Sequence, residues 1–142
     1  MSEERYQGFS TVFTVKDIQK SLDFYNKVGF KTEMTAPGPG GKLMHAEVDY
    51  HGSTLMLGPS MEGELKNVGT GVALYIDVPS ADKAFQQVKA AGARIEEEPK
   101  DQFWGRRDFT ALDPDGYKLV FSQFVRKVTP EEMEKAMMAM AN

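Results

Sequence analysis

The hydrophobic pattern runs through the same order of periods twice. From Phe9 to Val15 the chain reads FSTVFTV, rich in β-branched and aromatic residues as a strand requires, and Asp17 follows in position to cap a helix. In IQKSLDFYNKVGF the apolar residues Ile18, Leu22, Phe24, Tyr25 and Val28 fall mostly at helical spacings, and Gly29 stands where a helix end takes a left-handed residue. Phe30 to Thr35 and Leu43 to Tyr50 read as strands separated by the loop PGPGG. His51-Gly52 then makes a tight turn into a further strand, Ser53 to Leu57. The first half is βαβββ.

The second half repeats that order. GVALYIDV is a strand, SADKAFQQVKAAG a helix opened by Ser80 and closed by Gly92, and ARIEEE a shorter strand. RDFTALDPDGYKLVFSQF is a hairpin, because Asp-Pro-Asp-Gly is turn chemistry between two strand-like runs. The helix-ending glycines Gly29 and Gly92 lie 63 positions apart and the hairpin glycines Gly52 and Gly116 lie 64 apart, the mark of a tandem duplicate. In TPEEMEKAMMAMA, Thr129 and Glu132 have capping-box spacing, Pro130 takes the first helical position, and Met133, Ala136, Met137 and Met140 share a face. The expected layout is an arm (1–8), a first module (9–58), a linker (59–70), a second module (71–124) and a carboxy-terminal amphipathic helix (125–142).

Composition narrows the partners. With 142 residues, 41% of them hydrophobic, the chain can bury a core, and 17 basic against 21 acidic residues give a net charge of −4 with no long block of either sign, which argues against nucleic acid. The absence of cysteine removes disulfides, thiolate metal sites and thiol nucleophiles. MSEERYQG lacks the basic end and apolar run of a secretory signal, and no stretch approaches the ~20 apolar residues of a membrane span. A cytoplasmic protein without membrane association is the expectation.

Two βαβββ halves, with VKDIQKSLDFYNKVGF after the first strand and LDPDGYKLVF at the last hairpin, resemble the vicinal-oxygen-chelate superfamily, which contains glyoxalase I, extradiol dioxygenases, fosfomycin-resistance transferases and bleomycin-resistance proteins. The resemblance spans roughly Phe9 to Phe124. It implies an α+β fold in which tandem βαβββ modules form curved mixed sheets around a cup, with helices on the outer faces and an extra carboxy-terminal helix. It also implies a homodimer. Metal-dependent members place a His or Glu at one inward position on each of four strands, and carrying that pattern over lands on Ser10, Met56, Gly71 and Val120. These residue types do not make a ligand set, so no metal or other cofactor is expected.

Strand alternation assigns faces. Phe9, Thr11, Phe13 and Val15 should meet the first helix, with Ser10 and Val12 turned to the cup. Leu55 and Leu57 face out and Met56 in; Val72, Leu74 and Ile76 out and Gly71, Ala73 and Tyr75 in; Leu119 and Phe121 out and Val120 and Ser122 in. On the seventh strand, if Thr110 and Leu112 face out, Arg107, Phe109 and Ala111 face the cup. His45, Glu47 and Asp49 share one strand face, opposite Met44, Ala46, Val48 and Tyr50. A single ion could hardly be held by all three, because same-face Cα atoms are ~6–7 Å apart. His45 and Glu47 are then either a hydrogen-bonded or solvated pair or part of a ligand site, with Glu47, its pKa raised by desolvation, as general base. His51, at a turn, is expected on the surface.

DQFWGRRDF places an aromatic pair, a glycine and two arginines beside the cup. Trp104 can stack and Arg106 or Arg107 can grip an anionic or planar molecule; equally, Trp104 can pack at the sheet edge with the arginines in water. WGRRDF followed by LDPDG resembles the bleomycin-resistance branch, which implies a metal-free groove that sequesters a drug. The expected ligand-binding set is therefore Ser10, Val12, His45, Glu47 and Met56 from the first half, and Tyr75, Trp104, Arg107, Phe109, Val120 and Ser122 from the second. A small organic ligand is the expected partner. Three functions follow: sequestration or resistance by binding; catalysis, either metal-free as a lyase, isomerase or hydrolase through Glu47 or with an atypical metal at His45; and an interaction role for the methionine stripe.

Overall fold

A computed structural model describes residues 8–61 and 65–141. Apart from Gly8, the expected arm lies outside the described residues, as do residues 62–64 of the expected linker. The order is β1 (Thr11–Val15), α1 (Ile18–Lys27), β2 (Lys31–Pro37), a 3₁₀ turn (Pro39–Gly41), β3 (Leu43–Tyr50), β4 (Ser53–Pro59), β5 (Ala73–Asp77), α2 (Ala81–Ala90), β6 (Arg94–Asp101), β7 (Arg106–Leu112), β8 (Lys118–Phe124) and α3 (Pro130–Met140). Contacts divide the chain into two units, Met1–Val68 and Gly69–Asn142. This is the expected α+β duplication, with one four-stranded mixed sheet in each unit.

In the first unit the sheet order is β1-β4-β3-β2. The β1–β4 pair is parallel and the other two are antiparallel. The Asp17 side chain accepts from the Lys20 N–H at 3.2 Å and starts α1, and Gly29 takes φ +109° just after its end. The apolar stripe Ile18, Leu22 and Tyr25 is buried, as are Phe13, Val15, Ala46, Val48, Leu55 and Leu57 on the strands. Rings continue that core from Tyr25 to Phe30 (5.1 Å between centroids) and from Phe30 to Tyr50 (4.9 Å). Burying each large aliphatic side chain here contributes about 1.5–3 kcal/mol. Phe9 departs from its expected helix-facing position: it precedes β1 and is exposed.

Ser21 is an oddity in this core. Its hydroxyl is fully buried on α1 with no hydrogen-bond partner among the described residues. Ser21→Ala removes a desolvated polar group and inserts the better helix former, so it should stabilise the protein by about 0.5–1 kcal/mol. Urea titration followed by far-ultraviolet circular dichroism measures this; a lower midpoint would contradict it.

The second unit has the matching order β5-β8-β7-β6, with β5 and β8 parallel. Ser80 caps α2 by accepting from the Lys83 N–H at 3.2 Å. Ala81 and Val88 of α2 are buried, together with Ile76, Phe109, Ala111, Leu119 and Phe121 of the sheet. Phe109 stacks on Phe121 (4.8 Å, 9° between planes) and meets the edge of Phe85 from α2 (5.3 Å). β6 runs further than its sequence suggests, through Pro99 to Asp101, which an edge strand tolerates because Pro need not donate to a neighbour. Gly71 and Val72 precede β5, and Val72 is exposed where it was expected against a helix.

The last helix starts as its sequence predicts, with Thr129 accepting from the Glu132 N–H at 3.1 Å. It buries none of its residues: Met133 and Ala136 are half-buried, Met137 and Met140 exposed. Among the described residues no helix is long and apolar enough to cross a membrane.

Candidate functional site

Each sheet turns one face to its helix and leaves the other open. On the open face of the first sheet, Val12 stands directly beside Met56, and Met56 beside Glu47. Met34 is opposite Glu47 on the other side. His45 Nε2 lies 2.8 Å from Glu47 Oε2, with both side chains about 30% exposed (32% and 28%). Glu47 is thus not a carboxylate isolated in apolar surroundings; it has an imidazole partner and access to water. Asp49, the third member of that face, instead accepts from the Gly52 N–H at 3.2 Å and holds the β3–β4 turn. Ser10 lies before β1 and is exposed, apart from this group in the strand pattern. His51 is exposed at the turn, with φ +49°.

The open face of the second sheet carries a tighter polar group. Tyr75 is directly opposite Val120, and Asp108 opposite Ser122. The Tyr75 hydroxyl is 2.7 Å from Ser122 Oγ and 3.4 and 3.5 Å from the two Asp108 oxygens. Next to it Arg106 Nη1 donates to Asp77 Oδ1 at 2.6 Å while its guanidinium lies 5.9 Å from the Phe124 ring centre. The bond to Asp77 holds the Arg106 pKa above its ordinary value, against a smaller opposing effect of burial. The registers make Glu47 and Thr110 equivalent across the duplication, since each lies beside the matching position of the last strand, Met56 or Val120. Asp108 therefore occupies the place that His45 holds in the first sheet.

Here the sequence reading of β7 needs correction. Residues directly opposite on antiparallel strands share a face, and Phe109 pairs with Phe121, Ala111 with Leu119. Phe109 and Ala111 therefore face α2 and are fully buried. Arg107 follows them: its Nε donates to Asp82 of α2 at 3.0 Å and its Nη1 to Asp101 of β6 at 3.1 Å. Those two carboxylates, Asp82 first, raise its pKa. Neither Arg107 nor Phe109 joins the open face. Asp108 and Thr110 take their place, and with Arg106 and Phe124 they complete a group that alternation alone mis-phased.

Trp104 sits at the β6–β7 turn, 38% exposed, with its ring edge-on to Phe103 at 4.8 Å. The turn is closed by the Gln102 N–H donating to the Arg106 carbonyl at 2.7 Å. Gly105 is buried within it at φ +87°, and a Cβ there would collide with the backbone of Arg126. Its carbonyl accepts from the N–H groups of both Val125 and Arg126, at 2.9 and 3.1 Å. Only glycine meets both demands.

The residues at the four metal-ligand positions do not suit a divalent ion. Gly71 offers no side chain and lies in a turn outside β5; Val120 offers only methyl groups beside Tyr75; Met56 presents a thioether beside Val12; Ser10 lies outside β1. Hard divalent ions need convergent oxygen or nitrogen donors, and a serine hydroxyl with a thioether does not supply them.

Two βαβββ units, each a four-stranded mixed sheet covered on one face by a helix, define the class: a small duplicated α+β protein. The model of the Glyoxalase/Bleomycin resistance protein/Dioxygenase superfamily matches residues 9–121, and the chain belongs to that superfamily. A lactoylglutathione lyase of Neisseria meningitidis is 31% identical over 120 residues, covering 80% of this chain and 87% of the relative. A bleomycin resistance protein of Geobacillus stearothermophilus is 30% identical over 123 residues, covering 79% and 92%. In fold, the chain is similar to TioX from Micromonospora sp. ML1, with a TM-score of 0.65 at 24% identity, covering 83% of this chain and all (100%) of the other.

Proposed function

We propose that the protein binds a small organic molecule without a metal and sequesters it as a homodimer; that one relative is a bleomycin resistance protein supports an organic ligand. The observation that carries this reading is the chemistry of the open faces: ligand-poor at Ser10, Met56, Gly71 and Val120, yet supplied with exposed apolar and aromatic side chains at Val12, Met34, Tyr75, Trp104 and Phe124. Apolar surface with a few fixed polar anchors is the usual make-up of an organic-ligand site. On the first sheet the proposed lining is Val12 and Met56; on the second it is Tyr75, Val120 and Ser122, with Trp104 at the turn that follows β6.

Calorimetry and native mass spectrometry against bleomycin and a broad panel of aromatic compounds test the proposal. One-to-one binding per chain, unchanged by EDTA and weakened about tenfold by Trp104→Ala, is the expected outcome; Phe109→Ala molecules that remain folded should keep their affinity. Binding that requires added divalent metal, or no binding across the panel, would overturn it. Sedimentation equilibrium measures the dimer.

A second reading is favoured by the His45–Glu47 contact at 2.8 Å and by the lyase relative. An imidazole bonded to a carboxylate can accept and return a proton, which is the equipment of general acid–base catalysis. It predicts lactoylglutathione lyase turnover in EDTA that Glu47→Gln abolishes.

A further inference from the structure

We infer that the open face of the second sheet is a subsite for an organic cation, with Tyr75 as its ring platform and Asp108 as its counter-charge. The inference rests on the reading that the protein binds a small organic molecule, and names the chemical class of that molecule.

The charge count on this face points one way. Asp77 and Asp108 are both carboxylates, and Arg106 is the neighbouring cation. Arg106 is bonded to Asp77. Lys118, further along, is held by Glu96 at 3.2 Å. Asp108, only 6% exposed, is left with the Tyr75 hydroxyl as its side-chain partner, at distances of 3.4 and 3.5 Å. Arg106 acts on Asp108 through its charge while its hydrogen bond goes to Asp77, so two carboxylates share one cation, and a positively charged ligand is the group that would balance the second.

The aromatic residues agree. Tyr75 is 53% exposed although its hydroxyl is anchored by Ser122 and Asp108, so its ring is fixed at one end and open to contact. Fixing the ring beforehand lowers the entropy a ligand loses on stacking. A phenol leaning on a carboxylate has a more electron-rich face, and cations bind to such faces by electrostatic attraction. Phe124, 61% exposed, already lies near one cation, the Arg106 guanidinium at 5.9 Å. An ammonium or heteroaromatic cation seated on Tyr75 would meet its ring face and the field of Asp108. An anion would meet that same field as repulsion.

The test uses the full chain and three small probes: benzyltrimethylammonium, the neutral N-benzylacetamide and benzoate. Each is titrated while the Tyr75 ring resonances are followed by NMR. The cation should bind at least about fivefold more tightly than the amide. That preference should disappear in Asp108→Asn and in Tyr75→Leu, where the probe's own resonances are followed instead, and fall with added salt. Should Asp108→Asn fail to fold, Tyr75→Leu, at a residue 53% exposed, carries the test, with the same loss of preference expected. Equal binding of the amide or benzoate at Tyr75, or no response of Tyr75 to the cation, overturns the inference. If that happens while a compound of the broad panel binds elsewhere, the sequestration reading stands; if the whole panel fails, that reading falls on its own test.

Discussion

Phe109→Ala should cost about 3–5 kcal/mol of stability, among the largest losses any single substitution here can cause. The ring is fully buried, stacked on Phe121 and edge-on to Phe85, so truncation leaves a cavity between the sheet and α2 rather than a space that solvent can fill. A cavity bounded by a strand pair and a helix collapses poorly, because both walls are held by their own backbone hydrogen bonds. The expected measurement is a large drop in the urea midpoint with an unchanged slope. A stable variant that had lost ligand affinity would mean the ring points to the open face, against the register of β7 and β8.

The second large effect is at Asp113, where the hairpin between β7 and β8 turns. One carboxylate oxygen, Oδ1, accepts from three backbone N–H groups: Asp115 at 2.9 Å, Gly116 at 3.0 Å and Tyr117 at 2.9 Å. The Asp113 N–H in turn donates to the Tyr117 carbonyl at 2.9 Å, and the residue is buried. Asp113→Ala would strip three donors of a charged acceptor, and each such bond contributes about 1.5–3 kcal/mol net. Water and backbone adjustment recover part of that, so a loss of about 3–4 kcal/mol is expected. Asp113→Asn, which keeps one acceptor oxygen but not the charge, should lose roughly half as much. Equal losses for the two variants would show that shape, not acceptor strength, fixes the turn. Amide exchange at Tyr117 reads the same event locally, with protection falling first at this turn.

Most of the scaffold was written in short-range signals. Asp17 and Ser80 cap the helices they were expected to cap, Gly29 and Gly92 follow their ends, and the repeat spacing reproduces two sheets of matching strand order. Alternation also phased β3, β4 and β8 correctly, because Ala46, Val48, Leu55, Leu57, Leu119 and Phe121 are all buried against helices while their neighbours are polar or less bulky. It failed on β7, where Asp108, Phe109, Thr110 and Ala111 are buried in succession. A run whose burial does not alternate carries no alternating signal, and one mistaken step reverses every side chain in it.

That single reversal is why Asp108 was missed and why Arg107 and Phe109 were placed with the ligand. A charged residue inside the run RRDFTAL was the available clue, since an aspartate is seldom enclosed without a hydroxyl or cation to meet it. Tyr75 and Ser122 were placed on one face, but their contact with each other and with Asp108 depends on the parallel pairing of β5 with β8. That pairing joins the start and end of a module, and no local spacing announces it. The stop at Gly105 was similarly invisible, because its conflict is with Arg126, far along the chain.

The pair of hydrogen bonds that Val125 and Arg126 donate to the Gly105 carbonyl has a consequence for the last helix. It moors the chain immediately before α3, and the Arg126–Glu132 contact at 3.1 Å shortens the line further. Three residues separate the mooring from Pro130, a span of about 13–14 Å at full stretch. The methionine-bearing helix is therefore tethered close to the β6–β7 turn, so a partner meeting its exposed methionines would meet the side of the second unit where Trp104 sits.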